Sequence, residues 1–144
     1  MDLDRHIGSI NFKCNICNAE NNIPVGAFHR ELAFCVNCGS NVRFRGIIHG
    51  LSVSLFGRSI PLTEFPKKVL RGIGMSDWAN YAEPLSRHFD YTNTFYHCEP
   101  KLDLIDLSSL ERWRGQDFVI SSDVIEHVPP PGRFSSGWVW RKRS

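Results

Sequence analysis

No run of apolar residues in this chain approaches the ~20 that a membrane-spanning helix needs, and no membrane partner is expected. Charge of one sign is scarce too, with 17 Lys and Arg against 15 Asp and Glu for a net +2. The small imbalance is uneven along the chain. Residues 61–128 carry seven basic and eleven acidic side chains, whereas 129–144 carry four basic ones and no acid. An acidic middle works against a nucleic-acid groove there, because phosphate contacts need a positive field. No signal peptide precedes the first cysteine, so the expected compartment is the reducing cytoplasm, where disulfides are disfavoured.

Cysteine is the exception to this ordinary composition. Four of the five cysteines form two pairs, Cys14-Asn15-Ile16-Cys17 and Cys35-Val36-Asn37-Cys38. In each CxxC the two intervening residues turn the backbone so that both thiolates reach one ion. Two such turns complete a tetrahedral site at about 2.3 Å Zn–S. Four soft thiolates fill the coordination sphere and leave no position for a water nucleophile, so the expected role of Zn²⁺ is structural. The competing readings are two disulfides or redox-active pairs. Cys98 stands alone, as suits a reduced protein.

Residues 1–41 read as the metal module, with Gly39 supplying a left-handed turn after the second pair. A unit this short gains too little from apolar burial, and the metal is expected to supply much of its folding energy. Residues 42–66 read as a connecting helix and linker. Asn41 is a predicted N-cap, and Phe44, Ile47, Ile48, Leu51 and Leu55 form one apolar stripe ending near Gly57. Arg43 and Arg45 at its start have two readings, a phosphate contact or a solvated face. Two prolines in 58–66 predict a linker that separates two cores.

Alternating elements follow in 67–130. Val69–Ile73 is a predicted strand running into Gly74-Met75-Ser76-Asp77. Pro84 argues against a continuous helix from Ser76, so a loop to Ala82 and a short helix ending near Phe89 are expected. Tyr91–His97 predicts a second strand, Leu102–Ile105 a short third, and Phe118–Ser122 a fourth. Asp123–Val128 reads as the opening of a helix that Pro129-Pro130-Pro131 interrupts. Strand, glycine loop, helix, then strand ending in an acid is half of a doubly wound parallel sheet. Gly72 and Gly74 are candidates for close ligand approach, Glu99 for two ribose hydroxyls and Asp103 for an adenine amine. Their alternatives are a tight turn, a solvated strand end and an ordinary loop acid. Asp123 is also a candidate helix cap, and His127 a candidate general base.

Together these residues resemble the amino-terminal half of class I S-adenosylmethionine-dependent methyltransferases. Val69-Leu70-Arg71-Gly72-Ile73-Gly74 resembles their first motif. Val119-Ile120-Ser121-Ser122-Asp123-Val124-Ile125-Glu126-His127-Val128 resembles the Asp/Ser-x-x-Glu-His-Val sequence after the fourth strand in the type 11 and type 12 families. A bacterial subset also carries a CxxC…CxxC ribbon ahead of that domain, and Asn41–Arg45 and Tyr91–Pro100 fit it.

The resemblance implies an α/β fold, an N-terminal zinc ribbon followed by the first half of a Rossmann-like sheet. It implies S-adenosylmethionine held by Gly72, Gly74, Asp77, Glu99, Asp103 and Ser122, with Zn²⁺ on the four cysteines and no assigned catalytic residue or acceptor. Arg71 and Ser76 or Asp77 stand where the first motif has an acid and a third glycine. Residues 131–144 read as an irregular basic tail without the Lys-Pro-Gly-Gly turn expected before a fifth strand, which predicts a shortened, poorly active form. The alternative is a zinc-ribbon module contacting protein or nucleic acid beside a degenerate α/β scaffold.

Overall fold

The computed structural model describes residues 8–32 and 34–128. The first unit is an antiparallel hairpin of β1 (Ser9–Lys13) and β2 (Glu20–Pro24), with Phe12 opposite Asn21. The first cysteine pair forms the turn between them. The second pair leads directly into α1 (Val42–Phe56). As its sequence predicts, the Asn41 side chain accepts a bond from the Phe44 amide, and Gly57 ends the helix in the left-handed region at φ 71°. Ile48 and Leu51 are buried on the expected stripe, with Phe44, Ile47 and Leu55 packed around them.

The second unit runs β3 (Arg71–Met75), α2 (Ala79–His88), β4 (Asp90–Thr94), α3 (Leu107–Arg112), β5 (Phe118–Ser121). Among the described residues its strands form one parallel sheet in the order β4-β3-β5. Several boundaries differ from expectation. Val69 is 99% exposed and precedes the strand, which continues through both glycines to Met75. The second strand stops at Thr94 rather than His97. Leu102–Ile105 forms no strand. A single bridge pairs Phe95 with Lys101, and Leu102 is buried against Ile73 and Leu110 instead. A short 3₁₀ turn, Ile125–His127, replaces the expected helix after β5.

Helix α2 is continuous through Pro84, contrary to the predicted loop. Pro84 is its sixth residue and costs the one bond its missing N–H would have made. Tyr81, Ala82 and Leu85 anchor both sides of that break in the core, so packing outweighs the lost bond. The basic tail 131–144 and Pro129-Pro130-Pro131 lie outside the described residues.

One apolar core joins the two units. It runs from Cys14, Ile16 and Cys35 through Ile48, Leu51 and Leu62 to Tyr81, Leu85, Phe89 and Phe118. The proline-containing stretch read as a linker is a wedge in that core. Leu62 is fully buried and its amide donates to the Asn15 carbonyl at 2.7 Å. Phe65 meets Phe56 edge-on at 5.1 Å and Phe89 at 6.0 Å.

Side chains alternate across β3 with period two. Ile73 faces α3 with Leu102 and Leu110. Gly72 and Gly74 occupy the α2 side, where the Tyr91 and Phe118 rings stack at 6.1 Å and 6°.

Candidate metal centre and ligand cleft

The two cysteine turns are near copies. In the first, the Asn18 amide donates to the Cys14 carbonyl at 2.8 Å and the Cys14 amide to Ala19 at 2.9 Å. In the second, Gly39 donates to Cys35 at 2.9 Å and Cys35 to Ser40 at 2.9 Å. The residue after each second cysteine is left-handed, Asn18 at φ 65° and Gly39 at φ 72°. Asparagine tolerates that conformation, which is why the first turn closes without glycine.

The four Sγ atoms lie within 4.8 Å of one another. Cys14–Cys38 and Cys17–Cys35 are 3.7 and 3.5 Å apart, too long for a disulfide bond. A tetrahedron with Zn–S of about 2.3 Å has S···S of about 3.8 Å, so the cluster can hold a metal ion such as zinc. The surroundings act unequally on the four thiols. Asn21 Nδ2 donates to Cys35 Sγ at 3.5 Å, and Ser40 Oγ lies 3.4 and 3.3 Å from Cys14 and Cys38. Burial pushes the Cys35 thiol up, but the Cys38 and Asn37 amides with Asn21 pull it down to about 6. Burial drives Cys38 up to about 12, and a cation held by the cluster would favour its thiolate.

A second site lies where β3 and β5 end. Arg43, Phe44, Ser76, Asp77, Trp78, Tyr81, Ser122 and Asp123 line a cleft of about 250 Å³. One wall is the first turn of α1. Phe44 stacks on Trp78 at 4.7 Å and meets Tyr81 at 5.8 Å. The floor is Asp77, 7% exposed. Asn93 fixes its backbone, accepting from the Asp77 amide at 2.9 Å and donating to its carbonyl at 2.8 Å.

The Tyr91 hydroxyl donates to Asp77 Oδ2. The Tyr81 hydroxyl lies near the same carboxyl without closing a bond of ordinary geometry, and among the described residues neither it nor Asp77 Oδ1 has a partner. Burial raises the Asp77 pKa, against the opposing pull of Tyr91 and Tyr81. Both tyrosines are raised as well, first by burial and then by the Asp77 charge.

Ion pairs cross the cleft mouth. Arg43 pairs with Asp123, and Arg30 reaches Asp123 at 3.6 Å and Glu31 at 3.0 Å. Asp123 is therefore not the helix cap its sequence suggested. Ser76 at φ 57° and Asp123 at φ 56° both sit in the left-handed region, a strain that recurs at ligand sites. Arg45 turns away to the ribbon, bonding to the Ser40 carbonyl and covering the Phe12 ring at 4.4 Å.

The expected cofactor residues divide. Asp77 and Ser122 line the cleft. Gly72 and Gly74 do not form its loop. A Cβ at Gly72 would overlap the Phe118 ring, and one at Gly74 would overlap Tyr91 and Asp77. Neither has a positive φ. They are glycine because aromatic side chains fill that face of β3. Glu99 is an exposed carboxylate accepting from the Lys101 amide at 2.9 Å and from Arg112 at 3.0 Å, contacts that hold its pKa low.

Asp103 Oδ1 closes a turn onto the Ile105 amide at 3.1 Å. Asp106 caps α3 through the Ser108 amide. His127 is exposed beside Glu126 at 3.5 Å and is not among the cleft residues. Tyr81, Tyr91 and Trp78 carried no motif signal, although alternating aromatics beside a Gly-x-Gly strand mark where rings fill the space glycine leaves. No family model, curated protein or solved structure matches this chain.

Proposed function

We propose that this chain forms an S-adenosylmethionine-binding unit of class I methyltransferase-like fold, built against a structural zinc ribbon. The observation that carries the reading is the coincidence of cleft and topology. Sheet order reverses at β3, with β4 on one side and β5 on the other. In parallel α/β sheets ligands bind beyond the strand carboxyl ends at that reversal, and the cleft is there. The Ser-Asp-Val-x-Glu-His-Val stretch supports the same reading, since it leaves β5 at the cleft rim.

When bound, the cofactor supplies an electrophilic methyl group. The chain's own part is to bind and orient it, with Ser76, Asp77 and Trp78 after β3 and Ser122 after β5. In-line methyl transfer needs proximity more than acid–base chemistry. Titration calorimetry with S-adenosylhomocysteine tests this on the metal-loaded protein. Saturable binding that Asp77→Ala and Ser122→Val weaken supports the reading, and no heat at millimolar ligand sinks it.

A second reading, a partner-binding ribbon, draws on one observation. Phe28, Phe34 and Val36 in the ribbon are 45%, 55% and 79% exposed. Apolar exposure of this kind suits a protein partner better than nucleic acid. Binding of a protein partner that Phe34→Ser and Val36→Ser abolish, with cofactor affinity unchanged, would support it.

A further inference from the structure

We infer that Arg43, on the ribbon-side helix, is a specificity-determining residue that reads the carboxylate of a zwitterionic ligand whose ammonium faces Asp77. This rests on the cofactor reading and gives it an orientation, with the amino-acid end of the ligand in the cleft. Size is the first argument. About 250 Å³ is below the ~300–1,000 Å³ of pockets that enclose a drug-sized ligand. It accommodates one polar end of a nucleoside–amino acid conjugate, leaving the rest along the open rim.

Charge is the second argument. Arg43 of α1 and Asp77 after β3 both line the cleft, so that one small space holds a guanidinium and a carboxyl. Asp77 is more than nine-tenths buried, and its Oδ1 has no partner among the described residues. The Tyr91 and Tyr81 hydroxyls lie against this carboxyl, but neither supplies a positive charge, and a carboxylate so deeply buried is costly unless a cation faces it; an ammonium is such a cation. Arg43 has only a quarter of its side chain exposed, and it already holds the Asp123 carboxylate at the rim and Glu31 at 3.6 Å. Asp123 thus marks the position where a ligand carboxylate would bind, and a ligand entering there competes with it for the same guanidinium.

Two probes separate this from a merely structural role. S-adenosylhomocysteine carries the amino-acid group and 5′-methylthioadenosine lacks it. Metal-loaded protein should bind the first more tightly by about ten- to a hundred-fold, the worth of charge-assisted hydrogen bonds. Arg43→Gln should erase most of that preference and leave methylthioadenosine affinity in place. Asp123→Asn removes the competing carboxylate, and should tighten S-adenosylhomocysteine by about two- to five-fold with no change for methylthioadenosine.

That gain has the opposite sign to any folding defect, and thermal melts of each variant identify an unfolded one. Equal loss of both probes in Arg43→Gln, or equal affinity for both in wild type, overturns the inference and leaves the cofactor reading standing. Failure of folded wild type to bind either probe overturns the cofactor reading and the inference with it.

Discussion

Phe44 and Trp78 stack with rings 4.7 Å apart and 8° from parallel, and this contact ties the metal ribbon to the ligand cleft. Phe44 lies in the first turn of α1, whose cap Asn41 follows the second cysteine turn by two residues. Asn80 in α2 reinforces the link by donating to the Cys38 carbonyl at 3.1 Å. A sequence read as two cores joined by a proline linker instead packs both units into one shared core, with a smaller cluster of Ile73, Leu102 and Leu110 beside it.

Metal removal should consequently unfold more than the ribbon. Purified protein is expected to contain about one equivalent of zinc. Chelation or Cys35→Ala should abolish the thermal transition of the α/β part along with that of the ribbon, since Cys14 and Cys35 belong to the shared core. Amide exchange reads this directly. Protection of β3 and β5 that survives full zinc removal would show that the cores are separable.

Gly72→Ala should destabilise the chain by about 1–3 kcal/mol through overpacking, because its Cβ has no room beside the Phe118 ring. Phe118→Leu removes the ring tip and should recover part of that loss in a double-mutant cycle. Denaturant midpoints give each term. Strictly additive costs would mean that the ring is not what requires glycine. The same glycine in a ligand-binding loop would alter affinity with little effect on stability.

Asp77 predicts an unusual pH response. Burial raises its folded-state pKa, so the folded chain holds the proton more tightly than the unfolded chain does. Its contribution to stability therefore grows as pH falls through the folded pKa, and levels off below the unfolded value of ~3.9. At neutral pH the buried charge is a burden. Asp77→Asn keeps an acceptor for Tyr91 and should raise the melting temperature at pH 7 while weakening ligand binding. The difference from wild type should shrink on acidification. A melting temperature lowered at pH 7 would show that the charge stabilises the fold.

Local signals were legible wherever a few residues decide the geometry. The CxxC spacing located the thiol cluster, Asn41 and Gly57 bounded α1, and the strand expected at Phe118–Ser122 forms one residue shorter, at Phe118–Ser121. Tertiary effects were not legible. Pro84 is tolerated because Tyr81 and Leu85 hold the helix from both sides. Gly72 and Gly74 resembled a cofactor-loop pattern because sequence cannot distinguish space left for a ligand from space left for a ring. Glu99 and Asp103 stood at plausible positions in the strand order, but β4 ends at Thr94, before either is reached. The cleft itself needed Arg43 and Phe44 from a different unit, a meeting that only the folded chain reveals.

The left-handed residues at the rim carry a final expectation. Ser76 and Asp123 have φ near those of Gly39 and Gly57, though each bears a Cβ. A non-glycine residue there costs roughly 1–2 kcal/mol relative to right-handed backbone. Asp123→Ala loses the Arg43 ion pair, keeps the Cβ and gives up a side chain that tolerates that conformation better than alanine does. Asp123→Gly loses the same pair and releases the backbone. The pair is partly exposed, with side chains 25% and 41% accessible, so its own worth should be about 0.2–1 kcal/mol. The glycine variant should then match or exceed wild-type stability, and the alanine variant should fall below it by about 1 kcal/mol. Urea midpoints at pH 7 measure both. Equal losses in the two variants would show that no strain is held at Asp123, and that the ion pair alone accounts for its place in the fold.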